Sequence, residues 1–371
     1  MDSAFNFGKL FGIQFRVHYS WFFVFALITF FLAQEVFPGA VRGESVPTYW
    51  IMGAVTSFLF FFSVLLHEAG HSLVARRNGI PVSGITLFLF GGAAQMTREP
   101  PSAVAELKMA SVGPAVSLAL GGCFWLIYQA FFVSGLNNVA AMGLWLAQIN
   151  LILAAFNMLP GFPLDGGRVL RGLWWHFRKD YVGATQAAVF CGRVAGVLII
   201  GAGVYFIIEY RDWLAGVWLA FIGWYLENSA RLSLKQFRLQ LWMKDRKVAD
   251  VMESDCPNVG GEISLGEVKR RYPAGRCFLV NAPGSPDAAV FLPAAGDRPD
   301  ATPMSEMTFS FDKAIEVAPD DDLLTLAQQM NETGRDFAVV KENGIAVGMI
   351  FLDALIELVN RSTATVDRVV K

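Results

Sequence analysis

Long apolar runs dominate the first two thirds of the chain. A helix needs about 20 largely apolar residues to cross the hydrocarbon of a bilayer. Six stretches approach that length: 18–37, 48–74, 108–133, 139–159, 185–208 and 212–230. Between the second and third the pattern changes character. Ile80–Met96 (IPVSGITLFLFGGAAQM) follows a Gly-Ile-Pro turn, runs through β-favouring residues and breaks at Gly91-Gly92. It predicts a short strand or hairpin near the membrane surface, with a plain connector as the alternative. Ahead of the first run, Phe5, Phe7, Leu10, Phe11 and Phe15 beside Lys9 and Arg16 read as an interfacial segment, with no cleavable signal peptide evident.

From about residue 248 the apolar runs become short and alternate with helix-like segments. A helix is expected over Asp322–Thr333, strands over Phe337–Lys341 and Ile345–Phe351, and a helix over Leu352–Arg361. A looser version of this order precedes it, with a helix over Ser264–Arg271 and strands over Cys277–Val280 and Ala288–Leu292. Two copies of an α/β unit of about 60 residues suggest a duplicated soluble module. The fold class is therefore a polytopic α-helical membrane body of about six spans with a short β segment (1–247), followed by a soluble α/β tandem (248–371).

Charge sharpens this division. Only 17% of the 371 residues are charged and 54% are hydrophobic, against about 25% charged in an ordinary soluble domain, which excludes a simple soluble enzyme. Residues 1–247 carry 19 Lys/Arg and 12 Asp/Glu, a net +7, and all ten Trp; residues 248–371 carry 11 Lys/Arg and 20 Asp/Glu, a net −9. The total of −2 makes no case for nucleic acid. Four Cys without a CxxC pair exclude a disulfide scaffold and a Cys-rich metal module. With six spans, Lys9, Arg16, Arg76, Arg77, Arg98, Lys108, Arg168, Arg171, Arg178, Lys179 and the run from Arg231 to Lys247 share one side, and only Arg42 and Arg211 face the other. The positive-inside rule then puts both termini in the cytoplasm. Arg193, inside the fifth span, reads as a snorkelling residue.

The chemistry lies in the second run. His67-Glu68-Ala69-Gly70-His71 follows a charge-free stretch from Trp50 to Leu66. On a helix, positions i and i+4 lie about 40° apart and one turn along, so both imidazoles can meet one metal ion. Glu68 points about 100° away, placed to touch a metal-bound water. This is the HExxH arrangement of zinc hydrolases, and ionisable groups in a span are functional by default. Two His need a third protein ligand for catalytic zinc. Asp165 is the best candidate: Pro160 and Pro163 should break the fourth helix, and Gly166 and Gly167 allow tight geometry beside it. A broken helix at membrane depth is tolerated only where protein buries it or a wet cavity borders it. Asn150 and Asn157 share a helical face, and either could hydrogen-bond a substrate carbonyl or another helix. Gly113-Pro114 reads as a kink and close-packing point, His18 and His176 as interfacial residues, and Glu227 likewise.

These residues resemble the site-2 proteases, intramembrane zinc metalloproteases, of the prokaryotic branch with a C-terminal pair of CBS domains. The carrying positions are His67–His71, the stretch from Gly91 through Met96 to Glu99-Pro100, Gly113-Pro114, and Asn157 through Gly167. The resemblance implies one Zn²⁺ per chain held by His67, His71 and Asp165, with Glu68 as catalytic base and Asn157 beside it. Gly91, Gly92 and Asn150 are then candidate substrate-binding positions. It implies membrane-spanning substrates, such as a membrane-held transcription regulator, and a multi-pass protein of a prokaryotic plasma membrane. In the tail, Val248–Met252 and Ala346–Leu355 resemble the start and end of CBS units, which could join two chains as a homodimer. Phe351 stands where a nucleotide-binding CBS unit has Thr, and Ala354 where it has Asp, which argues against a bound nucleotide.

Two other classes fit the same architecture. An inactive membrane scaffold would have no use for His67, Glu68, His71 and Asp165 together. A CBS-regulated metal transporter would need polar residues along several spans, and spans one, three and five offer few.

Overall fold

The computed structural model describes residues 4–10, 12–88, 91–96, 99–273, 275–282, 285–292, 298–310, 314–355 and 358. The chain forms two compact units, Met1–Leu234 and Lys235–Lys371.

In the first unit, strands β1 (Ala4–Leu10) and β2 (Ile13–His18) form an antiparallel hairpin. The chain then enters helix α1 (Ser20–Phe31), a π-helical turn (Leu32–Val36) and α2 (Phe37–Ala40), which together make one apolar span. Helix α3 runs from Val46 to Arg77. Its start is set by Ser45, whose hydroxyl accepts from Thr48 N, a cap that contributes about 1 kcal/mol. Arg76 and Arg77 complement the dipole of its last turn. Thirty-two residues make a rod of about 48 Å, longer than the ~30 Å hydrocarbon, so its last turns lie near one membrane face.

After α3 come β3 (Val82–Phe88) and β4 (Gly91–Met96), the hairpin that β-branched residues and the Gly-Gly break predict. The two hairpins combine into one sheet, ordered β1-β2-β3-β4, in which β2 and β3 run parallel. The N-terminal segment is thus half of a sheet, which the sequence pattern does not announce because the pairing spans some 65 residues of intervening helix. Ile13, Leu65, Ala69 and Ile85 pack the sheet onto α3.

Helices α4 (Ala103–Val133), α5 (Asn137–Asn157), α6 (Asp165–Arg178), α7 (Tyr181–Glu209) and α8 (Trp213–Met243) follow. Among the described residues, five helices are long and apolar enough to cross a membrane: Ser20–Ala40, Val46–Arg77, Ala103–Val133, Asn137–Asn157 and Tyr181–Glu209. The expected sixth span, 212–230, is built as helix α8, but Trp, Tyr, Glu227 and Asn228 dilute its apolar character. It packs against α7 through paired glycines: a Cβ at Gly196 would come within 2.8 Å of Gly223 O. Small residues allow this close approach in lipid. Arg193 of α7 donates to Glu227 of α8 at 3.2 Å, so the snorkelling arginine has a partner. Many Phe, Leu, Val and Trp side chains on these helices are exposed, among them Phe23, Leu126, Leu198 and Leu214, as lipid contact requires. The protein is a multi-pass membrane protein.

The second unit holds the two expected α/β copies. The first is β5 (Asn258–Gly260), α9 (Leu265–Arg271), β6 (Cys277–Ala282), β7 (Ser285–Phe291) and β8 (Phe309–Ser310), with sheet order β5-β6-β7-β8. The second is β9 (Ile315–Val317), α10 (Leu323–Thr333), β10 (Phe337–Glu342) and β11 (Ile345–Phe351), with order β11-β10-β9. Each copy buries its own core, and Cys277, Phe291, Phe337, Val339, Met349 and Phe351 form a third between them. The rings of Phe291 and Phe351 stack at 4.5 Å. Most of the helix expected over 352–361 lies outside the described residues. Cys256 and Cys277 bring their sulfurs to bonding distance, a single link beside complete hydrophobic cores and no scaffold. Asp320 pairs with Lys247 at 2.5 Å; the hydrogen bond holds the carboxyl below its usual range and the ammonium above.

Candidate active site

Two of the three candidate ligands come from α3 and one from α6. His67 and His71, both buried, sit one turn apart. His71 Nδ1 lies 2.7 Å from Met109 O. A carbonyl only accepts, so Nδ1 carries the proton and Nε2 presents a lone pair. His67 Nδ1 lies 2.8 Å from Ser117 Oγ. The two Nε2 atoms are 3.2 Å apart, and Asp165 Oδ2 lies 3.2 Å from one and 3.1 Å from the other.

Asp165 reaches this point because the chain breaks where Pro160 and Pro163 stand. Helix α5 ends at Asn157, and Asp165 opens α6. The loop crosses α7 closely, with Phe162 N donating to Ala188 O at 3.1 Å. Gly166 and Gly167 fold back onto the carbonyls of Leu159 and Gly161, where any Cβ would overlap backbone.

With Ser117 Oγ accepting from His67 Nδ1, as Met109 O does from His71 Nδ1, two ring lone pairs and a carboxylate oxygen converge, three acceptors that repel one another unless a cation or proton stands among them. Zinc bonds of 2.0–2.1 Å in a tetrahedron put ligand atoms about 3.3 Å apart, close to the spacing found here. The donor set, two imidazoles and one carboxylate, suits a catalytic zinc with a fourth place open. Both outer ring nitrogens have oxygen partners, the second shell such ligands need. Gly113 of α4 closes one side: a Cβ there would overlap the Nε2 atoms of both His71 and His67. The residues present fit the metal.

Beside them lies a cavity of about 790 Å³. Glu68, Gly91, Gly92, Asn157, Asp165 and Arg168 line it together with Phe23, Leu27, Phe60, Phe156, Trp218 and Phe221. The backbone of Gly92 presses on Glu68, leaving no room for a Cβ against Glu68 Cγ. Asn157 donates to Leu153 O at 3.0 Å while lining the cavity. Asn150 is elsewhere: fully buried, with its amide nitrogen 2.8 Å from Leu146 O and 3.4 Å from Ser63 Oγ. It takes the helix-bonding alternative and does not line the cavity.

The structure brings together His67, Glu68, His71, Asp165, Asn157, Gly91 and Gly92, as the sequence leads one to expect, and adds five contributors. Gly113 reads as a packing point because its use, room over two imidazoles, depends on α4 crossing α3. Ser117 and the carbonyl of Met109 carry no motif. Arg168 was visible only as a basic residue of a loop, and the aromatic wall from α8 as part of a span.

Comparison with known proteins supplies the family. The family model described as Peptidase family M50 matches residues 55–141 and 134–200. The chain is 32% identical over 362 residues to "Putative zinc metalloprotease Rip3" of Mycobacterium tuberculosis, covering 94% of this chain and 91% of that protein. Among solved structures, the site-2 protease from Methanocaldococcus jannaschii is 24% identical, with a TM-score of 0.42, covering 62% of this chain and 94% of that one. The CBS domain of the bacterial CNNM/CorC family Mg²⁺ transporter is 14% identical, with a TM-score of 0.25, covering 34% of this chain and 82% of that one. On the strength of the family match and the full-length relative, the chain belongs to Peptidase family M50 and is a zinc metalloprotease of the site-2 protease type.

Proposed function

We propose that this protein hydrolyses peptide bonds within membrane-spanning substrate proteins, using one zinc ion per chain held by His67, His71 and Asp165. The observation that carries the reading is the convergence of three ligand atoms within 3.2 Å of one another, lining with Glu68 a largely apolar cavity.

The metal supplies Lewis acidity, which lowers the pKa of water and polarises a carbonyl. Glu68 takes a proton from the attacking water as the new C–O bond forms at the scissile carbon. It then returns that proton to the amide nitrogen as the C–N bond breaks. Ser117 and Met109 O keep the imidazoles oriented. Asn157, at the cavity edge, donates to the substrate backbone.

A transmembrane helix hides its peptide bonds, so the substrate must unwind locally. Bare amides in an apolar cavity cost several kcal/mol each. Strand β4 pairs only with β3 among the described residues, so its outer edge can accept an extended substrate as a further strand. Gly91 and Gly92 begin that edge next to Glu68 and bring backbone, without side chains, to the cavity. With α8 as the sixth span, both termini face the cytoplasm of a prokaryotic plasma membrane, so the released fragment is cytoplasmic, as a membrane-held transcription regulator would be. The tail acts as a CBS-like regulatory pair that joins two chains.

The test uses a single-span model substrate reconstituted with purified protein. Glu68→Gln should keep its zinc and lose cleavage by at least ~100-fold. Cleavage at the native rate would remove Glu68 from this role.

A further inference from the structure

Catalytic metal needs its third ligand held to a fraction of an ångström, yet Asp165 follows a seven-residue loop on a different helix from the two imidazoles. Something must register α6 against the helices that carry and orient the histidines. The glycines after Asp165 shape the loop locally. They do not tie α6 to α4.

A buried ionic cluster makes that tie. Arg171, six residues after Asp165 on α6, is 4% exposed, and Glu106 on α4 is fully buried. Arg171 Nε donates to Glu106 Oε1 at 2.6 Å, and its Nη2 also contacts that oxygen. Nη2 lies 3.2 Å from Glu99 Oε2, which accepts from the Tyr181 hydroxyl at 3.1 Å. The guanidinium carbon sits 5.0 Å from the ring centres of both Phe162 and Tyr181. One side chain thus holds the strap before α4, the first turn of α4, the loop before Asp165 and the start of α7.

The position of Glu106 gives this cluster its meaning. Glu106, Met109, Gly113 and Ser117 are spaced by three, four and four residues, so they form one stripe along α4. Three of the four meet the imidazole pair: Met109 O and Ser117 Oγ at the two Nδ1 atoms, and Gly113 over the two Nε2 atoms. The fourth holds the helix that carries Asp165. Buried ion pairs are weak sources of stability, since apolar replacements of similar volume are often neutral or stabilising, but a planar guanidinium fixes direction as few groups can.

The geometry points to Arg171 and Glu106 as positioning residues that set Asp165 against His67 and His71, through the same face of α4 that orients the imidazoles. This rests on the ligand set proposed above. Neither residue touches the metal or the substrate; both act through Asp165.

The experiment titrates Co²⁺ into metal-free, detergent-solubilised full-length protein, following the visible d–d bands and the melting temperature of the metal-free form. Native protein should bind one Co²⁺ with a tetrahedral spectrum, and Asp165→Ala should lose it. If native protein shows no such spectrum, or Asp165→Ala leaves it unchanged, the ligand set itself is wrong. With those controls in place, the double variant Glu106→Met/Arg171→Met leaves no unpaired buried charge. It should melt close to native and bind Co²⁺ roughly 10- to 100-fold more weakly, the range for lost outer-shell partners, with shifted bands. Native affinity and bands in a folded double variant would overturn the proposal. Arg171→Lys, which keeps the charge without the fork, decides the matter should the double variant fail to fold. Weaker binding with altered bands supports positioning; native values overturn it.

Discussion

Gly113 shows how a residue without functional atoms can govern the proposed metal site. Its missing Cβ leaves the space over the Nε2 atoms of His67 and His71. Gly113→Ala adds one methyl to a helix, which by propensity should stabilise α4 slightly. At this position the methyl instead occupies the space that the metal and its open coordination place need. The expected result is a protein that folds and inserts, with zinc content reduced to a small fraction of native by elemental analysis; full zinc content would show that α4 does not cover the imidazoles. His67, Glu68, His71 and Asp165 were legible in the sequence because their spacing and their surroundings are local: one helical turn in an apolar run, and a Pro-broken helix. Gly113, Ser117 and Arg171 were not, because their roles are defined by helices that meet only in three dimensions. Asn150 marks the opposite case, a polar residue on the right face by spacing that the fold buries between helices.

In the proposed mechanism, strand β4 is the element on which substrate handling turns. An added strand would exchange backbone hydrogen bonds with it at every second residue, since alternate amides of a strand point to opposite edges. Proline removes the amide hydrogen. A one-residue proline scan of a model substrate around its cleavage site should therefore give a period-two pattern, with rates depressed at alternate positions by roughly tenfold for each lost bond of about 1.4 kcal/mol. A smooth profile centred on the scissile bond would argue that unwinding alone limits cleavage. The hairpin itself could be read from composition, because β-branched residues and the Gly-Gly break are local signals. The partner hairpin β1–β2 could not, since its pairing joins residues 13–18 to 82–88 across α1 and α3. Helix α8 was legible as a long apolar segment, but its glycine packing on α7 and the Arg193–Glu227 pair appear only when both helices are in place.

Across the whole molecule the reading rests on a division of labour that charge already marks: a basic, Trp-rich membrane body and an acidic tail of two α/β copies. The tail's element order was legible because strands and helices there are short and separated by turns. The proximity of Cys256 and Cys277 was not, because they stand 21 positions apart in the chain and meet only once the fold is formed. The proposed chemistry rests on a single junction, where α3 brings two imidazoles and α6 a carboxylate to one point under the Gly113 face of α4. X-ray absorption at the zinc edge of full-length protein tests that junction most directly. The account predicts a low-coordinate N/O shell at about 2.0–2.1 Å, with the outer scattering of two imidazoles and no sulfur, and a changed shell in Asp165→Ala. A sulfur ligand, a shell without imidazole scattering, or a spectrum indifferent to Asp165→Ala would contradict it.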